Sequence, residues 1–95
     1  MPIIIIAMTI QLIIKGKVQG VFYRASAKDA AERLCITGWA KNIHAGHVEI
    51  VASGTDEAVD QFIEWCKQGP PRAIVKEVVV SVAAEENFEG FEIIR

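Results

Sequence analysis

The chain has 95 residues, which is enough for one domain with a single hydrophobic core. Hydrophobic residues make up 52% of it and charged residues 23%, a composition that excludes a disordered chain. The formal net charge of −2 at pH 7 excludes a broadly basic surface of the kind that binds DNA, RNA or anionic membranes. We therefore predict no nucleic-acid partner and no membrane partner, and we expect any bound anion to be small and held locally.

The N-terminal residues 1–8 are apolar but carry no targeting signal. They lack a charged segment and a cleavage site, and even the run that continues to Ile14 is shorter than the roughly 20 residues that span a bilayer. We therefore expect a cytoplasmic protein.

A strand and a helix are predicted in the first third of the chain. The apolar run that ends at Ile14 predicts a strand with one face buried, because Ile10, Leu12 and Ile14 alternate with Thr9, Gln11 and Lys15. Residues 24–36 predict an amphipathic helix. Its apolar side chains recur at helical spacing and are expected to be buried: Ala27, Ala30, Ala31, Leu34 and Cys35.

The segment between them, residues 16–24, reads Gly-Lys-Val-Gln-Gly-Val-Phe-Tyr-Arg and predicts a tight strand-to-helix loop. Gly16 and Gly20 permit backbone conformations that turn successive N–H groups toward one point, which suits an anion. The N-terminus of the helix adds free N–H groups and the positive end of its dipole. Arg24 lies in the first helical turn, where a cation opposes the dipole unless an anion binds nearby.

The alternative interpretation of this loop is an ordinary turn followed by a solvated arginine. Neither of the common nucleotide-binding motifs is present, because the loop lacks both Gly-Lys-Ser/Thr and Gly-x-Gly-x-x-Gly. Loop spacing alone therefore leaves both interpretations open.

A hairpin is predicted after the first helix. Thr37-Gly38 breaks the helix, residues 39–43 resume as a strand, and Ala45-Gly46 is predicted to be a two-residue turn. The returning strand points Val48, Ile50 and Ala52 inward. His44 and His47 flank the turn, and we expect them to form a cross-strand pair. We expect no metal site there, because no third ligand is found.

The last third of the chain predicts a second helix and two strands. Thr55 is expected to cap the helix, and residues 69–71, Gly-Pro-Pro, are expected to stop it. Its buried side chains are predicted to be Val59, Phe62, Ile63 and Cys66. A strand follows from near Ile74, and a short strand over residues 91–94 closes the chain.

This order, β-α-β-β-α-β plus a short terminal strand, predicts an α+β protein with the ferredoxin-like split βαβ arrangement. The sheet is then mostly antiparallel, with both helices on one face. Because the first two strands run in the same direction, Asn42 is expected to lie on the same side of the molecule as Arg24. Cys35 and Cys66 are expected to be buried thiols that form no disulfide.

Several motifs in this order resemble the acylphosphatase family. They are residues 16–24, Gly38-Trp-Ala-Lys-Asn42, Gly46-x-Val48-Glu49, Gly69-Pro70-Pro71 and Phe88-x-Gly90-Phe91-x-Ile93. The resemblance implies a single acylphosphatase-like domain over residues 8–95, preceded by an apolar extension over residues 1–7. It also implies an enzyme that hydrolyses the carboxyl-phosphate bond of small acyl phosphates without a metal or any other cofactor.

The same resemblance implies roles for individual residues. Arg24 would hold the phosphate, and Asn42 would orient the attacking water. The loop backbone would cradle the phosphate oxygens at Gln19, Gly20, Val21, Phe22 and Tyr23. Inorganic phosphate or sulfate would compete with the substrate for this site. One departure from the family pattern is Ala45-Gly46, which stands where the family usually carries Asp-Gly or Asn-Gly.

The competing class is a non-catalytic ferredoxin-like module that binds phosphate or RNA. An RNA-binding sheet would carry aromatic side chains on its central strands, and residues 47–53 contain none. A degenerate phosphate binder is expected to have lost Arg24 or Asn42, and both are present. The fold alone does not separate these classes.

Overall fold

The computed structural model describes residues 7–95, so the predicted extension over residues 1–7 lies outside the described residues apart from Ala7. The elements follow the predicted order. They are β1 (Met8–Lys17), α1 (Tyr23–Arg33), β2 (Thr37–Asn42), a 3-10 turn (His44–Gly46), β3 (Val48–Gly54), α2 (Asp56–Gln68), β4 (Ile74–Val82) and β5 (Phe91–Ile94).

The five strands form one sheet in the order β4-β1-β3-β2-β5. All neighbouring strands are antiparallel except β2 and β5, which are parallel. The predicted α+β fold with a ferredoxin-like, mostly antiparallel sheet is therefore confirmed. Because β1 and β2 are both antiparallel to β3, they run in the same direction and end at the same edge of the sheet.

The core lies between the sheet and the two helices. Leu12 of β1 pairs with Ile50 of β3, which pairs on its other side with Ala40 of β2, and all three are fully buried. The small side chains of α1 at Ala27, Ala30 and Ala31 let that helix pack closely on them. The side chains that α2 buries are Val59, Phe62 and Cys66.

Helix α2 begins and ends as predicted. The Thr55 hydroxyl oxygen accepts a hydrogen bond from the backbone N–H of Ala58 at 3.2 Å, and Asp56 and Glu57 occupy the first turn, where they favour the helix dipole. Gly69 ends the helix with a φ of 69°, a conformation that glycine adopts without strain. Neither helix of residues 7–95 is long and apolar enough to cross a bilayer.

Strand β1 is longer than predicted, and Gly16 belongs to it. The pairing with β4 continues through a register shift between Lys15 and Gly16 as far as Lys17. At Gly16 φ is +132°, and a Cβ atom there would lie 2.1 Å from the carbonyl oxygen of Ile74. This glycine is therefore required by close strand pairing, and the loop proper begins only at Val18.

The prediction that Cys35 is buried is wrong, because α1 ends at Arg33, three residues earlier than predicted. Cys35 adopts a left-handed conformation with a φ of 58°. Its N–H donates to the carbonyl of Glu32, and the N–H of Ile36 donates to the carbonyl of Ala31 at 2.8 Å. This pattern is a Schellman motif, which turns the thiol outward and buries Ile36 in its place.

The two-residue hairpin turn predicted at Ala45-Gly46 is also wrong. The N–H of Ile43 donates to the carbonyl of His47 at 2.9 Å, so three residues, His44–Gly46, form the connection. Ala45 and Gly46 both have a positive φ, 63° and 80°. His47 consequently pairs with Ile43, and the predicted cross-strand pair between His44 and His47 is not formed.

Candidate active site

A cavity of about 390 Å³ opens where β1 and β2 end beside the first turn of α1. Its lining residues are Val18, Gly20, Phe22, Tyr23, Arg24, Ala25, Asn42, Ile93 and Arg95. The structure thus brings Arg24 and Asn42, which are 18 positions apart in the sequence, to one cavity. They meet there because β1 and β2 run in the same direction and end at the same edge of the sheet. Gln19 and Val21 are not among the lining residues.

Three side chains hold the loop between β1 and α1 against the core. Val18, Val21 and Tyr23 are buried in the core, with exposed fractions between 1% and 7%. Gly20 and the exposed Phe22 both have a left-handed backbone, with φ of 74° and 63°. The loop therefore curls tightly, and its buried side chains fix it to the core.

The curled backbone leaves hydrogen-bond donors without acceptors. Within residues 7–95, none of the backbone N–H groups of residues 19–22 donates to a protein acceptor. Helix α1 has no acidic residue in its first turn and no side-chain cap. These N–H groups and the positive end of the helix dipole form a site that favours an anion.

Arg24 adds a positive charge to this site. Its Nη1 donates to the carbonyl oxygen of Ile94 at 3.1 Å, which holds the guanidinium against the end of β5. Among the described residues Arg24 has no carboxylate partner, and the cavity lining contains a second arginine, Arg95, but no aspartate or glutamate. Within the described chain the cavity lining therefore includes two arginines and no residue with a side-chain carboxylate.

Asn42 supplies a polar side chain to the cavity lining. It is the last residue of β2, pairs with Val48 of β3, and has an exposed side chain. In the described part of the chain its side-chain amide makes no hydrogen bond to protein, so both its donor and its acceptor are open to a ligand or water.

Gln19 has a role that the sequence interpretation missed. Its Nε2 donates to the carbonyl oxygens of Ile43 at 3.0 Å and His47 at 2.8 Å, so the side chain joins the loop to the hairpin. The sequence interpretation considered only the backbone of this residue. No local pattern could reveal the contact, because it depends on the hairpin length that was predicted incorrectly.

Tyr23 is a structural anchor of the loop. Its hydroxyl donates to the carbonyl oxygen of Cys66 at 2.7 Å, and its ring lies 5.5 Å from that of Trp65. Burial raises the pKa of the Tyr23 hydroxyl well above its usual value, with a smaller contribution from Cys66. Burial likewise raises the pKa of the Cys66 thiol to about 12, so both groups stay protonated at neutral pH.

Comparison with known proteins finds one family along most of the chain. The family model described as Acylphosphatase matches residues 10–93. An acylphosphatase of Haloquadratum walsbyi is 49% identical over 82 residues, which are 86% of this chain and 88% of that relative. The structure of an acylphosphatase from Coxiella burnetii superimposes with a TM-score of 0.89 and 39% identity, covering 93% of each chain. That of an acylphosphatase from Bacillus subtilis gives 0.89 and 32%, covering 93% of this chain and 99% of the other.

Proposed function

The chain belongs to the acylphosphatase family and is therefore a hydrolase of acyl phosphates, and we propose that it cleaves their carboxyl-phosphate bond without a metal, using Arg24, Asn42 and the loop backbone. One observation carries the proposal. Arg24 and Asn42 line the same cavity, next to backbone N–H groups of residues 19–22 that have no acceptor among residues 7–95. A phosphate needs this combination of a fixed cation and several N–H donors.

The phosphate group of the substrate would lie on the N–H groups of the loop. The donors and the Arg24 guanidinium would neutralise the charge that spreads over the equatorial phosphate oxygens in the transition state. The contact of Arg24 with the Ile94 carbonyl supports this role, because it holds the guanidinium in place before substrate arrives. The guanidinium then needs less reorganisation as the transition state forms.

The amide of Asn42 would orient the attacking water. The water oxygen attacks phosphorus, the bond from phosphorus to the acyl oxygen breaks, and the carboxylate leaves with the electron pair of that bond. The proton of the water passes to a phosphate oxygen of the substrate. A carboxylate is a weak base, so no acid is needed to protonate the leaving group, which agrees with the lack of any carboxyl side chain in the cavity lining within the described chain.

The direct test is to measure phosphate release from acetyl phosphate in the presence of excess EDTA. We expect hydrolysis at the same rate with and without the chelator. Loss of activity on chelation would contradict the metal-free mechanism. Binding of phosphate without any turnover would contradict the proposed activity and favour a non-catalytic phosphate-binding module.

A further inference from the structure

Phe22 occupies an unfavourable position for a large apolar side chain. It is 73% exposed, whereas the other apolar residues of the loop, Val18, Val21 and Tyr23, are buried. Its backbone is left-handed, with φ 63° and ψ 26°, a conformation that glycine adopts freely and that strains a residue with a Cβ atom. Neither core packing nor backbone geometry accounts for a phenylalanine here.

The position of this ring suggests what it does. Phe22 lines the cavity that also contains Arg24 and Asn42. Strained and exposed residues that serve no packing purpose are typical of functional sites. The lining joins two kinds of side chain, since Arg24, Asn42 and Arg95 are polar or charged while Phe22 and Ile93 are apolar.

A substrate of the proposed reaction has the same two parts. Its phosphate carries charge, and the group attached to its acyl carbonyl ranges from a methyl group to an aromatic ring. The cavity volume of about 390 Å³ lies within the range of about 300–1,000 Å³ typical of small-molecule sites, which leaves room for more than a phosphate ion.

On the basis of the proposed function, we propose that Phe22 is a specificity-determining residue, whose ring contacts the acyl group and favours acyl phosphates with aromatic or long aliphatic acyl groups over acetyl phosphate. Phe22 lines the cavity and is 73% exposed, so its ring is accessible to an acyl group. Covering about 55 Å² of apolar surface at roughly 25 cal/mol per Å² corresponds to about a tenfold preference.

The experiment compares kcat/KM for benzoyl phosphate and acetyl phosphate in the wild type, in three Phe22 variants and in one control variant. Phe22→Asn keeps a residue that tolerates the left-handed backbone but removes the apolar ring, so the benzoyl-to-acetyl ratio should fall about tenfold. Phe22→Leu should give an intermediate ratio, and Phe22→Trp should retain the wild-type ratio or exceed it. Val82→Asn is the matched control, because Val82 is 86% exposed on β4 and does not line the cavity.

The outcomes separate the two proposals. If the wild type hydrolyses both substrates and Phe22→Asn leaves their ratio unchanged, the role of Phe22 is wrong and the proposed function stands. If the benzoyl-to-acetyl ratio falls as far in Val82→Asn as in Phe22→Asn, the role of Phe22 is also wrong, because the effect is then not specific to the cavity. If the wild type hydrolyses neither substrate, the proposed function fails and this inference fails with it.

Discussion

Gln19 and His47 are joined by a hydrogen bond from the side-chain amide to the backbone carbonyl oxygen, 2.8 Å long. The same amide also donates to the carbonyl of Ile43 at 3.0 Å, so its two N–H groups connect to both sides of the hairpin. Ile43 follows Asn42 directly in the chain. Gln19 therefore couples the position of the loop backbone to the end of β2, and we infer that it is a positioning residue for Asn42.

Replacement of Gln19 by leucine tests this coupling. Gln19→Leu keeps the size of the side chain but removes both donors, and two backbone carbonyls lose a partner. We expect kcat for acetyl phosphate to fall about tenfold with a smaller change in KM, because the relative placement of phosphate and water is disturbed. The free energy of unfolding should fall by about 1–3 kcal/mol, measured by urea denaturation.

Gln11→Leu is the matched control for this variant. Gln11 lies in β1 and donates from its Nε2 to Glu49 at 2.6 Å, away from the cavity lining. It should change kcat less than twofold. Equal kcat values for Gln19→Leu and Gln11→Leu would show that the contact between loop and hairpin does not affect the reaction.

Arg24→Ala is expected to lower kcat/KM for acetyl phosphate by a factor on the order of 100 or more, because a charged donor that acts in the transition state is lost. Arg24→Lys should recover little of it, since an ammonium group lacks the planar pair of donors. Steady-state kinetics and phosphate binding by calorimetry should both show the loss. The control is Arg33→Ala, at the other end of α1. Wild-type activity in Arg24→Ala would show that Arg24 takes no part in the mechanism.

Inorganic phosphate and sulfate are expected to inhibit hydrolysis competitively. Both anions match the set of N–H donors that the loop presents beside Arg24, so they should exclude the substrate phosphate from the same place. The measurement is the dependence of apparent KM and kcat on anion concentration at constant ionic strength, with chloride as the control anion. A fall in kcat with unchanged KM would place the anion elsewhere.

The fold was predictable from the sequence because its signals are local. Alternation in β1, helical spacing in α1 and α2, and the Thr55 cap each depend on residues within one or two turns of one another. The succession of elements then indicates the ferredoxin-like arrangement. The presence of Arg24 and Asn42 at one cavity followed from that topology, since β1 and β2 share a direction.

What the sequence did not reveal depends on contacts between distant segments. The end of α1 is set by a left-handed Cys35, a conformation that no cysteine signals in advance. The hairpin length follows from the pairing of Ile43 with His47, which leaves three residues, His44–Gly46, for the connection. The bond from Gln19 to His47 and the exposure of Phe22 are consequences of the assembled loop, so neither appears in a motif.

The stability of the protein should fall above pH 9 because of Cys66. Its thiol titrates near 9.0 when exposed, but in the folded protein burial raises its pKa to about 12. Between these values the unfolded chain loses a proton that the folded protein keeps, so the free energy of unfolding falls as pH rises, by up to about 1.4 kcal/mol per pH unit. Tyr23 adds a loss of the same sign from pH 10 upward.

Urea denaturation at several pH values between 7 and 11 measures this slope. Cys66→Ala should reduce it, although the smaller side chain lowers stability at every pH. Cys35→Ala is the matched control, since the Cys35 thiol is exposed and its removal should leave the slope as in the wild type. Identical slopes in all three proteins would contradict the burial of a protonated Cys66.

Asn42 separates an enzyme from a phosphate binder most clearly. If its amide orients water, its contribution lies in the chemical step and not in holding the ground-state phosphate. Asn42→Ala should therefore lower kcat by a factor of about 100 or more while the Kd for phosphate changes less than threefold, unlike Arg24→Ala, which should impair both. Asn42→Asp is nearly the same size but brings a negative charge beside a phosphate dianion and removes the amide donor. The kcat of Asn42→Asp should therefore be as low as that of Asn42→Ala, and its phosphate binding should be weaker than that of the wild type.

The matched control for Asn42 is Asn87→Ala. Asn87 is an exposed asparagine between β4 and β5 that does not line the cavity, so its loss should leave kcat and the phosphate Kd as in the wild type. Both quantities are obtained from steady-state kinetics with acetyl phosphate and from calorimetry with inorganic phosphate. Full kcat in Asn42→Ala, or an effect confined to the phosphate Kd, would contradict the water-orienting role. In the second case the amide would be a phosphate ligand, and in both cases the attacking water would have to be held by another group around the cavity.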